Sequence, residues 1–256
     1  MTLLGHEDKL DFEFTFTISS VREIPDDKLE CYDKLSSDFV KACYEGNEAK
    51  VDRMLKNNIC MLNTKAACGM NGFMIACRKG FTEIVSLILK SVVKMGCHEG
   101  MFDVNDTGTE QDITGFTMAI LEGHIEVVKV IAEQKPFKGF EFSFNWQDGE
   151  DGHTPLMHAC KNGKKDIVNY FLKFAKSKKK VDFDLNQEDI HGNTAFHLAC
   201  LNKHEEIVDL IIQSADKLKI QLDLKNEDEQ TGYDLFPEKF EEQSAPGPSK
   251  KPRTDA

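Results

Sequence analysis

The sequence predicts an all-α solenoid of stacked helix-turn-helix units with short β-hairpin tips, about five full repeats and a partial C-terminal one. Three observations predict it. The first is Gly152 to Leu172, GHTPLMHACKNGKKDIVNYFL, which reads as two short helices. Thr154 supplies an N-cap hydroxyl, and Pro155 takes the first helical position, where a missing N–H costs nothing. Leu156, Ala159 and Cys160 make one apolar face at helical spacing, Gly163 stops the helix, and Ile167, Val168, Phe171 and Leu172 make a second face. The second observation is recurrence. Similar stretches start at Ser37, Asn71, Thr114 and Gly192, and they register on Ala42, Ala76, Ala119, Ala159 and Ala199 at intervals of 34, 43, 40 and 40 residues. The third is a set of fixed offsets. Four residues after the alanine stand Gly46, Gly80, Gly123 and Gly163, with Lys203 in the fifth unit. Nine residues after it stand Val51, Val85, Val128, Val168 and Val208. Two apolar faces on so short a unit are buried only against copies of the unit, which is the logic of a solenoid.

Composition agrees with this reading. The chain has 256 residues, 40% hydrophobic and 30% charged, which suits one extended domain rather than two compact ones. No apolar run approaches the ~18–20 residues of a membrane span, and MTLLGHEDK lacks the pattern of a secretory leader, so no membrane partner is expected. The net charge of −12 disfavours direct nucleic-acid binding. Cys43, Cys77, Cys160 and Cys200 each follow the register alanine, so they read as small core fillers in a reducing, cytoplasmic compartment. No Cys-x-x-Cys pair exists and the His spacing fits no zinc module, so neither a metal site nor a cofactor is expected.

Taken in order, residues 1–34 form an N-terminal capping segment. Leu10, Phe12, Phe14, Phe16 and Ile18 alternate with polar residues there, the pattern of a half-buried strand that either caps the first repeat or adds to a partner. Repeats fill residues 35–240. The first unit carries Asp38, Lys41 and Lys50, suiting a solvent-facing end. After the second unit, Val92 and Val93 extend a helix before Phe102-Asp-Val-Asn105. After the third, Phe140, Phe142, Phe144 and Trp146 alternate, which predicts a strand-like hairpin arm and a candidate aromatic anchor at Trp146. After the fourth, Phe174 and Ala175 prolong the helix into the basic run Lys176 to Lys180. Eight Lys and one Asp fall between Lys161 and Lys180, a local basic knob on an acidic chain. Gly232 to Phe236 is a degraded helix start without a full second helix, read as the C-terminal cap. Residues 241–256, rich in Pro, Ser and charge, should be disordered, and Lys250-Lys251-Pro252-Arg253 is a candidate nuclear signal.

The units resemble the ankyrin repeat. Its TPLHxA box matches Thr154-Pro-Leu-Met-His-Ala159 and Thr194-Ala-Phe-His-Leu-Ala199, and more loosely the boxes ending at Ala42, Ala76 and Ala119. Its hairpin signature matches Asp184-Leu-Asn-Gln-Glu-Asp-Ile-His-Gly192. Two departures stand out: three intervals exceed the family's usual length, and Lys203 replaces the turn glycine. The resemblance implies a non-catalytic module, an adaptor or stoichiometric inhibitor, that binds another protein along a concave groove and is itself monomeric. It implies groove positions at Tyr44 and Glu45, Arg78 and Lys79, Leu121 and Glu122, Lys161 and Asn162, and Leu201 and Asn202. The hairpin tips would add Glu110, Gln111, Glu150, Asp151, His153, Ile190, His191 and Asn193. Tyr44, Arg78 and Trp146 are the strongest interface residues by type. It also implies a narrower option, inhibition of Rel-type transcription factors, and a different one, hydroxylation by an asparaginyl hydroxylase at Asn63, Asn105 or Asn186.

Catalytic patterns are missing from the sequence. There is no G-x-S-x-G elbow, no phosphate-cradling glycine loop and no H-E-x-x-H. Resemblance places His197 at the box histidine, and His124 and His204 each start a second helix. No catalytic residue is expected; a site built from inserted loops would have to use His153 or His191.

Overall fold

The computed structural model describes residues 34–57, 62–66, 68–95, 102–108, 112–135, 142–177 and 182–244. The strand pattern at Leu10–Ile18, Glu110, Gln111, Phe140, Lys178–Lys180 and the basic tail motif lie outside these residues. Twelve helices among them pair into six hairpins: α1 (Lys34–Tyr44) with α2 (Glu48–Asn57), α3 (Gly72–Lys79) with α4 (Thr82–Met95), α5 (Gly115–Glu122) with α6 (Ile125–Ala132), α7 (Pro155–Lys161) with α8 (Lys165–Ser177), α9 (Ala195–Leu201) with α10 (Glu205–Leu218), and α11 (Gly232–Leu235) with α12 (Pro237–Ser244). Each first helix packs on the first helix of the next unit, and α2, α4, α6, α8 and α10 do the same in a second layer. The array is therefore the solenoid that the repeats predict.

The register residues make its core. Ala42, Ala76, Ala119, Ala159 and Ala199 are all 0% exposed, as are the five valines from Val51 to Val208. A small residue is required there because first helices approach one another at that height. The box apolar position forms a parallel column of Phe39, Phe73, Phe116, Leu156 and Phe196, each buried. The four register cysteines are buried beside it; burial pushes the Cys43 and Cys200 thiols up to about 12, so they stay protonated and inert.

Helix starts follow the predicted capping chemistry. The side chains of Asn71, Thr114 and Thr154 accept the N–H of Met74, Thr117 and Met157, three residues on. Helix stops follow the predicted glycines. Gly80 and Gly163 sit at φ +74° and +66°, and a Cβ on either would stand 2.6 Å and 2.8 Å from the rings of His124 and His204 in the next unit. Glycine thus serves twice, allowing the left-handed turn and leaving room for the neighbouring histidine.

Lys203 breaks that pattern without breaking the turn. It adopts φ +55° and donates its N–H to Cys200 at 3.0 Å, as Gly163 does to Cys160 at 3.4 Å. A left-handed non-glycine residue costs about 1–2 kcal/mol. The exposed Lys203–Glu238 ion pair at 2.9 Å offsets little of this. Lys203→Gly should therefore stabilise the protein by about 1 kcal/mol and raise Tm by roughly 2–4 °C. A thermal melt checks this, and an unchanged or lower Tm contradicts it.

Three details differ from the sequence reading. The hairpin tips contain isolated bridges, Lys65 with Asn71 and Thr107 with Thr114, and no strand among the described residues. The aromatic arm is likewise not a strand in its described part. Phe142 and Phe144 share an inward face, with ring centroids 4.6 and 6.1 Å from Phe116, but the chain turns at Phe144–Asn145. Trp146 therefore leaves that face and is 37% exposed. At the C-terminal end the sixth unit does have a second helix, α12, on which Phe240 meets Tyr233 at 4.8 Å. The predicted helix extensions hold: Val92 and Phe174 are both buried on α4 and α8, while Val93 is exposed.

Candidate protein-binding surface

The two residues at the end of each first helix form a row across the stacked units. Tyr44, Arg78 and Lys79, Leu121 and Glu122, Lys161, and Leu201 lie in the last turns of α1, α3, α5, α7 and α9, with Glu45, Asn162 and Asn202 just beyond. Neighbouring units touch along this row. The Lys79 ammonium lies 3.8 Å from the Tyr44 ring centre, a cation–π contact, and Arg78 Nε is 3.6 Å from Glu122 Oε1.

The row divides by exposure. Glu45, Lys79, Glu122, Leu201 and Asn202 are exposed, while Tyr44, Arg78, Leu121, Lys161 and Asn162 are half-buried. Some members have an evident structural task. The Asn162 and Asn202 amides donate to His158 and Leu198 carbonyls at 2.9 and 2.8 Å, closing the ends of their own helices. Lys161 reaches Asp151 at 3.1 Å. Arg78 and Lys161 also receive the next unit through their carbonyls, to which His124 and His204 donate from Nε2 at 2.9 and 3.1 Å. Leu201 has no such internal task to explain it; at 54% exposure it is an apolar side chain facing water.

The tips resolve into outward and inward residues. Ile190 is 57% exposed, and Glu150 and His191 are exposed with it. His153 and Asn193 are instead buried, at 4% and 9%. His153 stands between Asp151 and Asp189, and Asn193 bonds Asp189. These two were expected at the tips because sequence offset places them beside exposed residues; the tight turn folds them under. Trp146 donates from Nε1 to the Asp112 carbonyl at 3.4 Å while its ring stays accessible. Successive hairpins are joined through backbone bonds, Ile190 to Asp151 and Glu227 to His191, both 3.0 Å.

The hairpin asparagines serve this stitching. Asn186 donates to the Lys219 carbonyl at 3.0 Å and accepts the Gln221 N–H at 2.8 Å. Asn145, which the sequence reading passed over, does the same with Asp182 and Asp184 at 3.4 and 2.9 Å. The signal was available, since Asn145 follows Phe144 as Asn186 follows Leu185. Asn105 is half-buried in an equivalent turn, and Asn63 is exposed.

Two histidines are tuned by their surroundings. His197 Nδ1 accepts the Thr194 N–H at 3.2 Å, and Nε2 donates to the Gln230 carbonyl at 3.1 Å. Burial lowers its pKa against the opposing pull of the Gln230 and Leu224 carbonyls. Burial also lowers His158, whose Nε2 lies 2.7 Å from Asp148 Oδ2. Burial raises Asp148, but the His158 bond and the loop N–H groups outweigh it and hold the carboxyl at about 2. Among the described residues no helix is long and apolar enough to cross a membrane.

Known proteins share this architecture. The crystal structure of the ankyrin repeat domain of Bcl-3, described as a unique member of the IkappaB protein family, superposes with a TM-score of 0.58 at 16% identity, over 78% of this chain and 93% of that one. A Dictyostelium discoideum protein described as a probable serine/threonine-protein kinase is 33% identical over 87 residues, 34% of this chain. The chain spans 10% of that protein's length, so the match concerns one segment of it. The family model of ankyrin repeats (three copies) matches residues 39–143 and 137–223. With the box residues, the turn glycines and the two stacked helical layers all in register, this chain belongs to the ankyrin-repeat family.

Proposed function

We propose that this protein is a non-catalytic binding module, an adaptor or stoichiometric inhibitor, that holds a partner protein along the first-helix row and the hairpin tips. The observation that carries the reading is the contrast between core and row. Core letters repeat from unit to unit at full burial, while the row changes chemistry at each step: Tyr44, Lys79, Glu122, Lys161, Leu201. A scaffold that conserves its packing and varies one face suits recognition of a particular surface. Exposed Leu201, Ile190 and Trp146 supply apolar anchors, and the mixed charges between them would set partner choice and on-rate. The likeness to the Bcl-3 domain supports the fold; a Rel-type partner is a narrower option within the class. Buried register cysteines without disulfide partners suit a cytoplasmic module.

The test uses two exposed residues of the row; Lys79 gives up its surface cation–π contact with Tyr44 and no buried packing. Lys79→Glu combined with Leu201→Glu should leave far-UV helicity and Tm nearly unchanged, because both side chains are exposed. Proteins co-purifying from the native cells should lose at least one member whose capture falls tenfold or more. An identical set of bound proteins in wild type and variant contradicts the assignment of the row.

A further inference from the structure

The hairpin before α7 gathers two imidazoles and a carboxylate around one point. The ligand-capable atoms of Asp148, His153 and His158 lie within 4.8 Å of one another. Asp148 Oδ1 is taken up by the loop, accepting N–H groups of Asp151, Gly152 and His153 at 3.0, 2.9 and 3.2 Å. Its Oδ2 is the oxygen that meets His158, at 2.7 Å. The two rings stand nearly perpendicular with centroids 5.3 Å apart. His153 is flanked on both sides: Nδ1 is 3.4 Å from Asp151 Oδ2, and Nε2 is 3.4 Å from Asp189 Oδ2.

We propose that Asp148, His153 and His158 form a binding site for a divalent transition-metal ion, with zinc the ion their chemistry fits. Two imidazoles and one carboxylate are a borderline nitrogen-oxygen set, suited to zinc and unsuited to magnesium or calcium, which take oxygen ligands. Three protein ligands leave a fourth position for water, and the half-exposed Asp151 lies 3.4 Å from His153 Nδ1. The outer layer is already in place. Whichever ring nitrogen of His153 takes the ion, the other keeps a carboxylate partner, the arrangement that orients metal-bound histidines. Asp189 is itself fixed by the N–H groups of His191 and Asn193 at 2.9 and 2.8 Å. Ligands about 2.0–2.1 Å from a tetrahedral zinc lie roughly 3.3 Å apart, so the Asp148–His158 pair opens slightly and His153 draws in. The His158 ring proton moves to Nδ1 as the ion takes the Nε2 lone pair. Lys161, 3.1 Å from Asp151, is a cation beside the cluster, and the carboxylates of Asp148, Asp151 and Asp189 outweigh it.

Zinc here would join the hairpin to α7 and, through Asp189, to the following hairpin. It would therefore fix how Trp146 and Ile190 are presented. This site does not depend on the binding row being correctly assigned.

The experiment titrates Zn²⁺ into the full-length protein and follows the histidine ring nitrogens by NMR, with the two rings assigned from His153→Gln and His158→Gln. Both rings should shift in one saturable step at one equivalent, and Asp148→Asn should weaken that step at least tenfold. Rings of His153 and His158 that do not move in excess zinc overturn the proposal, whatever zinc binds elsewhere. Should the variants fail to fold, Co²⁺ added to the wild-type protein decides. Tetrahedral visible bands without thiolate charge transfer support the site; absent bands, or bands carrying thiolate charge transfer, overturn it.

Discussion

Replacing Ala159 with aspartate unfolds the array. Ala159 is 0% exposed on α7, which packs between α5 and α9. A carboxylate at that seam has no partner and no water. An unpaired buried charge, added to the overpacking of a small-residue site, costs about 4–5 kcal/mol or more. Typical stabilities are ~5–15 kcal/mol, so this removes a third or more of the total. The position also matters because stability in a linear array depends on interfaces between neighbours, and a central unit supports two. Ala119→Asp on α5 should behave alike. Far-UV circular dichroism and a denaturant titration read the outcome. Unchanged helicity and Tm in both variants would refute the repeat register.

Removing the His197 ring destabilises the C-terminal units and flattens part of the acid response. His197 is 1% exposed and ties the start of α9 to the hairpin before α11 through Thr194 and Gln230. His197→Ala leaves a cavity and two orphaned backbone groups, a loss of about 2–4 kcal/mol. The pH dependence has a defined sign. Burial disfavours the charged ring, so the folded state favours the neutral form and its pKa lies below the unfolded value of about 6.5. The unfolded chain then binds more protons as pH falls, so this contribution is complete above about 6.5 and declines below it. His158 adds a fall of the same sign. Wild-type Tm should drop between pH 7 and pH 5, and His197→Gln should drop less. Parallel curves for the two proteins would contradict this account of the ring.

Much of the architecture was legible in the sequence because its signals are local. The cap at Thr154, glycine stops, and the Ala–Val register each follow from backbone chemistry within one unit, and repetition multiplies them. Aromatic alternation through Phe142, Phe144 and Trp146 misled because period two identifies a shared face only while the chain stays extended. The turn at Phe144–Asn145 ends it. Lys203 shows the reverse case, in which neighbouring units hold a left-handed turn that the local residue disfavours.

The surface was less legible. Register gave the positions of the row, but not which members were already engaged. Asn162 and Asn202 cap their own helices, and Arg78 faces Glu122; these partners appear only after folding. The Asp148, His153 and His158 cluster was invisible for the same reason. Its two histidines have four residues between them but lack the paired cysteines that would complete a zinc-finger pattern, and their outer partner Asp189 lies in the next unit.

A partner protein held along the first-helix row and hairpin tips would protect the backbone amides there. Amide hydrogen exchange on the purified complex with a co-purifying partner tests this most directly. The account predicts new protection at the ends of α1, α3, α5, α7 and α9 and in the described hairpins, with α4, α6 and α8 unchanged. Protection confined to α4, α6 and α8 would contradict it.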